Sequence, residues 1–64
     1  MKIKSDNVPE GVEYLTSGKV YECEDIKQIN GETFATITNN FDNKIRVIIS
    51  ECAHLDYEAW DIVE

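Results

Sequence analysis

The chain has 64 residues, 42% of them hydrophobic and 30% charged, with thirteen Asp and Glu against six Lys and Arg for a net charge of −7. A chain this short buries only about 60% of its unfolded surface, which leaves no room for a second domain and disfavours the several-hundred-Å³ pocket of a metabolite enzyme. The charge repels a phosphate backbone, so direct nucleic-acid binding is not expected, whereas a protein partner with a basic surface is attracted.

The longest apolar run, Val47 to Ile49, is far below the ~20 residues that cross a bilayer. The opening "MKIKSDNVPEG" lacks the apolar core of a secretory signal, and a cytoplasmic location without membrane contact is expected. Cys23 and Cys52 form no CxxC pair, and reduced, half-buried thiols are expected.

In chain order, "MKIK" alternates as a short strand, with Met1 and Ile3 on one face and Lys2 and Lys4 on the other. Ser5 to Gly18 carries Pro-Glu-Gly and Ser-Gly turn signals and reads as a long excursion with a short irregular strand at Val12 to Leu15. Lys19 to Ile26 alternates again, Tyr21 and Cys23 inward against Val20, Glu22 and Glu24 outward. The Asn30-Gly31 pair, which favours a tight turn with positive φ, separates it from Glu32 to Thr38, rich in β-branched and aromatic residues.

Asn39 to Asn43 reads as a second hairpin turn. "KIRVIIS" then places Ile45, Val47 and Ile49 inward and Lys44, Arg46 and Ile48 outward, which makes Ile48 an outward apolar oddity. Ser50 to Leu55 suits one 3₁₀ or α turn with Ser50 as N-cap and Glu51 in its first turn. In the final strand, "EAWDIV", Trp60 and Ile62 are expected to share a face.

This order of elements resembles the small five-stranded Src-homology-3-like barrel. The run "LTSGKVYECEDI", Leu15 to Ile26, followed by an Asn-Gly hairpin and a terminal Trp strand, also resembles short bacteriophage and prophage proteins carrying a "GKVYEV"-like strand, with Cys23 where Val is commoner. The resemblance implies an all-β five-stranded barrel over residues 1–64, with one helical turn before the last strand, and a viral or mobile-element origin. It implies no catalytic residue. The Ala-Leu-Tyr-Asp-Tyr run, Trp-Trp pair and groove proline of proline-peptide readers are absent. An open half-sandwich that completes its core by dimerising is the alternative architecture.

Cys52 and His54 form a C-x-H pair that Cys23, Asp56 or Glu51 could extend, yet zinc sites present paired ligands at both ends, so no metal or cofactor is expected. Residues two apart on a turn face different ways, which argues against a Cys–His nucleophile and base. Among the aromatics, Tyr21, Phe34 and Trp60 read as core, and Tyr14, Phe41 and Tyr57 as loop residues. Glu10 and Glu13 accompany Tyr14, while Asp56 and Glu58 flank Tyr57.

If the barrel order holds, those two segments lie side by side as one acidic patch with two tyrosine anchors. The function expected is a non-catalytic accessory that binds a host or viral protein, as a monomer or weak homodimer. An assembly accessory of a virus particle or mobile element, or an inhibitor imitating a nucleic-acid backbone, are the alternatives.

Overall fold

Ile3 is fully buried and sits at the centre of the first strand, which is why three residues suffice to anchor the amino-terminal end. The computed structural model describes all 64 residues as six strands and one 3₁₀ turn. The strands are β1 (Lys2–Lys4), β2 (Tyr21–Glu22), β3 (Glu24–Ile29), β4 (Glu32–Thr38), β5 (Lys44–Ile48) and β6 (Asp61–Ile62). They pair antiparallel in two sheets, ordered β2-β1-β6 and β3-β4-β5. The fold is therefore all-β, but no ladder joins the two sheets into a closed barrel.

The expected five strands become six because the segment read as one strand, Lys19 to Ile26, serves both sheets. Its alternation is as expected, with Tyr21 and Cys23 buried and Val20, Glu22 and Glu24 exposed. At Cys23 the main-chain N–H still donates to Met1 O (2.9 Å), whereas Glu24 already pairs with Thr36 on β4. One residue later the ladder bulges: Asp25 takes φ +49° and the register shifts between Glu24 and Lys27. A bulge bends a strand and strengthens its twist, and β3 runs on to Ile29 after it.

Asn30 (φ +53°) and Gly31 (φ +83°) close the β3–β4 hairpin as a two-residue turn between the Ile29–Glu32 pair. Positive φ at both positions matches the twist of the flanking strands. Nothing lies within 4 Å of a Cβ added at Gly31, so the cost of substitution there is conformational alone. Gly31→Ala is expected to lower stability by about 1–2 kcal/mol without altering the native spectrum. Urea unfolding measures this, and a loss under about 0.3 kcal/mol would contradict the turn assignment. The second hairpin is held by Asn39, whose Oδ1 accepts from the N–H groups of Phe41 and Asn43, both at 3.0 Å.

No strand forms at Val12 to Leu15, contrary to the sequence expectation, because no neighbouring strand offers it a ladder. The excursion is instead pinned at its base, where Gly18 N–H donates to Ser5 O (2.7 Å), and Leu15 is buried in the core. Ser50 is not the cap of the helical turn either. The turn spans Ala53–Leu55 with Cys52 at the N-cap, no side-chain cap and no acidic residue in its first turn; Glu51 precedes it. Ser50 Oγ donates instead to Glu32 Oε2 (2.9 Å).

Trp60 and Ile62 do not share a face: Trp60 is 4% exposed and Ile62 is 59% exposed. The chain changes partner between them. Trp60 N–H donates to Ile49 O (2.8 Å), whereas β6 begins at Asp61, opposite Lys4. Eleven buried residues form the core, drawn from both sheets, the excursion and the 3₁₀ turn: Ile3, Leu15, Tyr21, Cys23, Ala35, Ile37, Val47, Ile49, Cys52, Leu55 and Trp60.

Phe34, read as core, is corrected. Strand alternation sends Ala35 and Ile37 inward, so Phe34 lies on the outer face, directly opposite Ile48. That pairing also accounts for the outward apolar Ile48.

Both cysteines are free, and both are buried, not half-buried. Burial pushes the Cys23 thiol above its ordinary pKa; the amino-terminal ammonium opposes this and Glu22 adds to it. A raised native pKa means the folded state holds its proton longer. This contribution to stability is full below the ordinary thiol pKa and is lost as pH rises through it toward the native value. Two results are expected: alkylation of Cys23 by iodoacetamide at pH 8 slower than in an unfolded control, and a urea midpoint that falls above about pH 9. Equal rates in both states would refute the burial account.

Candidate functional site

The residues singled out as a patch fall on two segments that the fold brings into contact. Tyr14, in the excursion, shares a hydrogen bond with His54, in the 3₁₀ turn: Oη and Nδ1 are 2.8 Å apart. Their rings meet edge-on, with centroids 5.6 Å apart and planes at 87°. His54 is the partner that sequence reasoning missed, because nothing local links positions forty residues apart.

Tyr14 is consequently not the free loop residue expected from the sequence. It is half-buried and packs against the core, with its carbonyl accepting from Asn40 N–H (2.8 Å). Its hydroxyl is already engaged, so it tethers one segment to the other. Glu10 and Glu13 are exposed beside it.

Tyr57 is different. It is 66% exposed, and Asp56 and Glu58 on either side are exposed as well. The turn that presents it is closed by main-chain bonds: Tyr57 N–H donates to Cys52 O (2.8 Å), Cys52 N–H to Glu58 O (3.0 Å) and Glu58 N–H to Leu55 O (3.1 Å). Both Asp56 (φ +55°) and Tyr57 (φ +67°) are left-handed. Asp tolerates that region through local hydrogen bonding, whereas a tyrosine there costs about 1–2 kcal/mol. Phe41 is 60% exposed, as expected, in the β4–β5 turn.

A polar cluster that no motif signalled fixes the excursion from below. Asn40 Oδ1 accepts from the Tyr21 hydroxyl (2.9 Å) and from Lys19 Nζ (3.0 Å), and Asn40 Nδ2 donates to Thr16 Oγ1 (2.8 Å) and Glu13 O (3.4 Å). The Tyr21 hydroxyl in turn accepts from Thr16 N–H (2.8 Å), and Lys19 Nζ lies 5.3 Å from the Tyr21 ring centroid. The only legible signal was the doubled Asn in "NNFDN".

No group of three or more His, Cys, Asp or Glu side chains is placed to hold a metal ion, so Cys52 and His54 gain no third ligand. No helix is long and apolar enough to cross a membrane. No family model, curated protein or solved structure matches the chain.

Proposed function

We propose that this chain is a small non-catalytic binding module, of the phage- or prophage-accessory kind that its Leu15–Ile26 run resembles. It engages a protein partner with a basic surface in the cytosol of a bacterial host. The Src-homology-3-like part of the reading is supported by strand order: a first strand between β2 and β6, a long excursion, a three-strand meander and a helical turn before the last strand. One observation carries the binding part. An exposed tyrosine held at positive φ in a tightly bonded turn, between two exposed carboxylates, carries strain that glycine would avoid while keeping the same main-chain bonds, and such strain collects at contact residues.

The test is affinity capture from bacterial lysate with the wild type and with Tyr57→Ala, Tyr57→Gly, Tyr14→Phe, Glu13→Lys and Asp56→Lys. Tyr57→Ala is expected to weaken capture of one stoichiometric protein about 30-fold, through faster dissociation and at a cost of about 2 kcal/mol. Tyr57→Gly should lose the partner equally while leaving the fold unchanged or up to about 1 kcal/mol more stable, since glycine takes positive φ freely. Glu13→Lys and Asp56→Lys should mainly slow association and flatten its salt dependence. Tyr14→Phe, which removes only the bond to His54, should loosen the two segments with a smaller effect. Unchanged capture by all five variants would overturn the proposal.

A further inference from the structure

The outer face of the β3-β4-β5 sheet has a chemistry opposite to the rest of the molecule. Register places Lys27, Phe34 and Ile48 in one row across the three strands, and Glu24, Thr36 and Arg46 in the next; Ile29 and Glu32 form the row on the other side. Phe34 and Ile48 are half-buried yet belong neither to the core nor to the residues packed against it, and Ile29 is 48% exposed. The ladder positions of this face hold three cations, Lys27, Lys44 and Arg46, against two carboxylates, Glu24 and Glu32. That is +1, leaving −8 on the remainder of a chain whose net charge is −7.

Lys44 is paired with Glu24 (3.1 Å) and Glu32 is held by Ser50. Lys27 and Arg46 have no acidic partner. Two unpaired cations therefore flank a half-buried Phe–Ile pair on the outer face, on strands about 10 Å apart across β4.

The complement of this arrangement is present on the same chain. In the Asp56-Tyr57-Glu58 turn two carboxylates flank an exposed aromatic, held rigid by main-chain bonds. We propose that the Lys27–Phe34–Ile48–Arg46 face receives the Asp56-Tyr57-Glu58 turn of a second copy of this chain. Tyr57 stacks on the Phe34–Ile48 pair, and its flanking carboxylates meet Lys27 and Arg46. The contact is heterologous, since two different patches meet, so it propagates from copy to copy until rotation closes a ring. Net repulsion between acidic copies keeps it weak. The inference rests on the reading of the Tyr57 turn as a binding surface and names an occupant that this surface itself fits.

Sedimentation velocity from 10 μM to 1 mM tests it with two double variants, Lys27→Glu with Arg46→Glu on the sheet and Asp56→Lys with Glu58→Lys on the turn. The wild type is expected to associate with rising concentration, and each double variant to weaken that association at least tenfold with an unchanged circular dichroism spectrum. An equimolar mixture of the two should restore opposite charges in both directions, the lysine turn of one copy on the glutamate sheet of the other and the native acidic turn on the native cationic sheet. It should associate with the two variants alternating, whereas each alone does not, because like charges meet in every contact between identical variants. The fourfold swap on one chain, which keeps the net charge at −7, should restore open-ended association. A wild type that stays monomeric at 1 mM, or a mixture that stays monomeric while both variants are folded, would overturn the proposal. Neither result touches the separate reading of the turn, because the sheet variant should still capture the lysate partner that Tyr57→Ala loses.

Discussion

Trp60→Ala is expected to leave the protein largely unfolded at 25 °C. Trp60 is 4% exposed, meets Tyr21 edge-on with centroids 6.0 Å apart, and stands where the chain leaves the 3₁₀ turn to join the first sheet. Removing a buried tryptophan costs about 3–5 kcal/mol, because the cavity adds to the lost transfer energy. A core in a chain this short supplies about the same amount in total. The loss and the whole stability are therefore comparable.

Trp60→Phe discriminates between loss of volume and loss of the indole itself. The buried Nε1–H has no hydrogen-bond partner, and an unpaired buried donor costs about 1–3 kcal/mol. Phenylalanine sheds that cost while keeping most of the apolar contact, so a net loss of only about 1–2 kcal/mol is expected. Far-ultraviolet circular dichroism through a urea titration measures both variants. A Trp60→Ala protein with a cooperative transition within 1 kcal/mol of the wild type would remove Trp60 from the core.

Asn40→Ala is expected to cost about 2–3 kcal/mol, a large effect for a half-buried polar residue in a turn. Its side chain links Tyr21 and Lys19 to Thr16 and the Glu13 carbonyl, so one truncation removes every side-chain bond between the excursion and Asn40 and leaves only the main-chain bond from Asn40 N–H to Tyr14 O. Each neutral bond contributes about 1 kcal/mol net; the bond to Glu13 O, at 3.4 Å, and the exposed Lys19 contribute less. Asn40→Asp keeps the acceptor for Tyr21 and Lys19 and loses the donor, so its stability should fall between the other two. Hydrogen exchange at Thr16 N–H, which bonds to the Tyr21 hydroxyl, should quicken in the same order. Equal stability of all three proteins would show that the excursion is held by Leu15 alone.

Much of the fold was legible in the sequence, and for local reasons. Period-2 alternation marked β1 and β5 and fixed Val47 and Ile49 as inward and Ile48 as outward, while β-branched and aromatic content marked β4. Asn-Gly marked the first hairpin, because few other residue pairs take positive φ twice. The segments around Tyr14 and Tyr57 were singled out from exposed chemistry alone, and the fold brings Tyr14 and the 3₁₀ turn into contact through His54.

What the sequence by itself determined is what depends on neighbours in the chain: the strand-forming segments, the hairpin turns and the charge around Tyr57. Tertiary structure decided everything that depends on a partner far along the chain. Val12 to Leu15 is not a strand because no ladder reaches it, and Cys23 divides one alternating run between two sheets because its neighbours pair with β1 on one side and β4 on the other. Trp60 is buried and Ile62 exposed because the main chain changes partner between them. Phe34 and Trp60 are both large aromatics, yet one faces out and the other in. Local pattern tells which residues share a side, but only closure of the fold tells which side is covered.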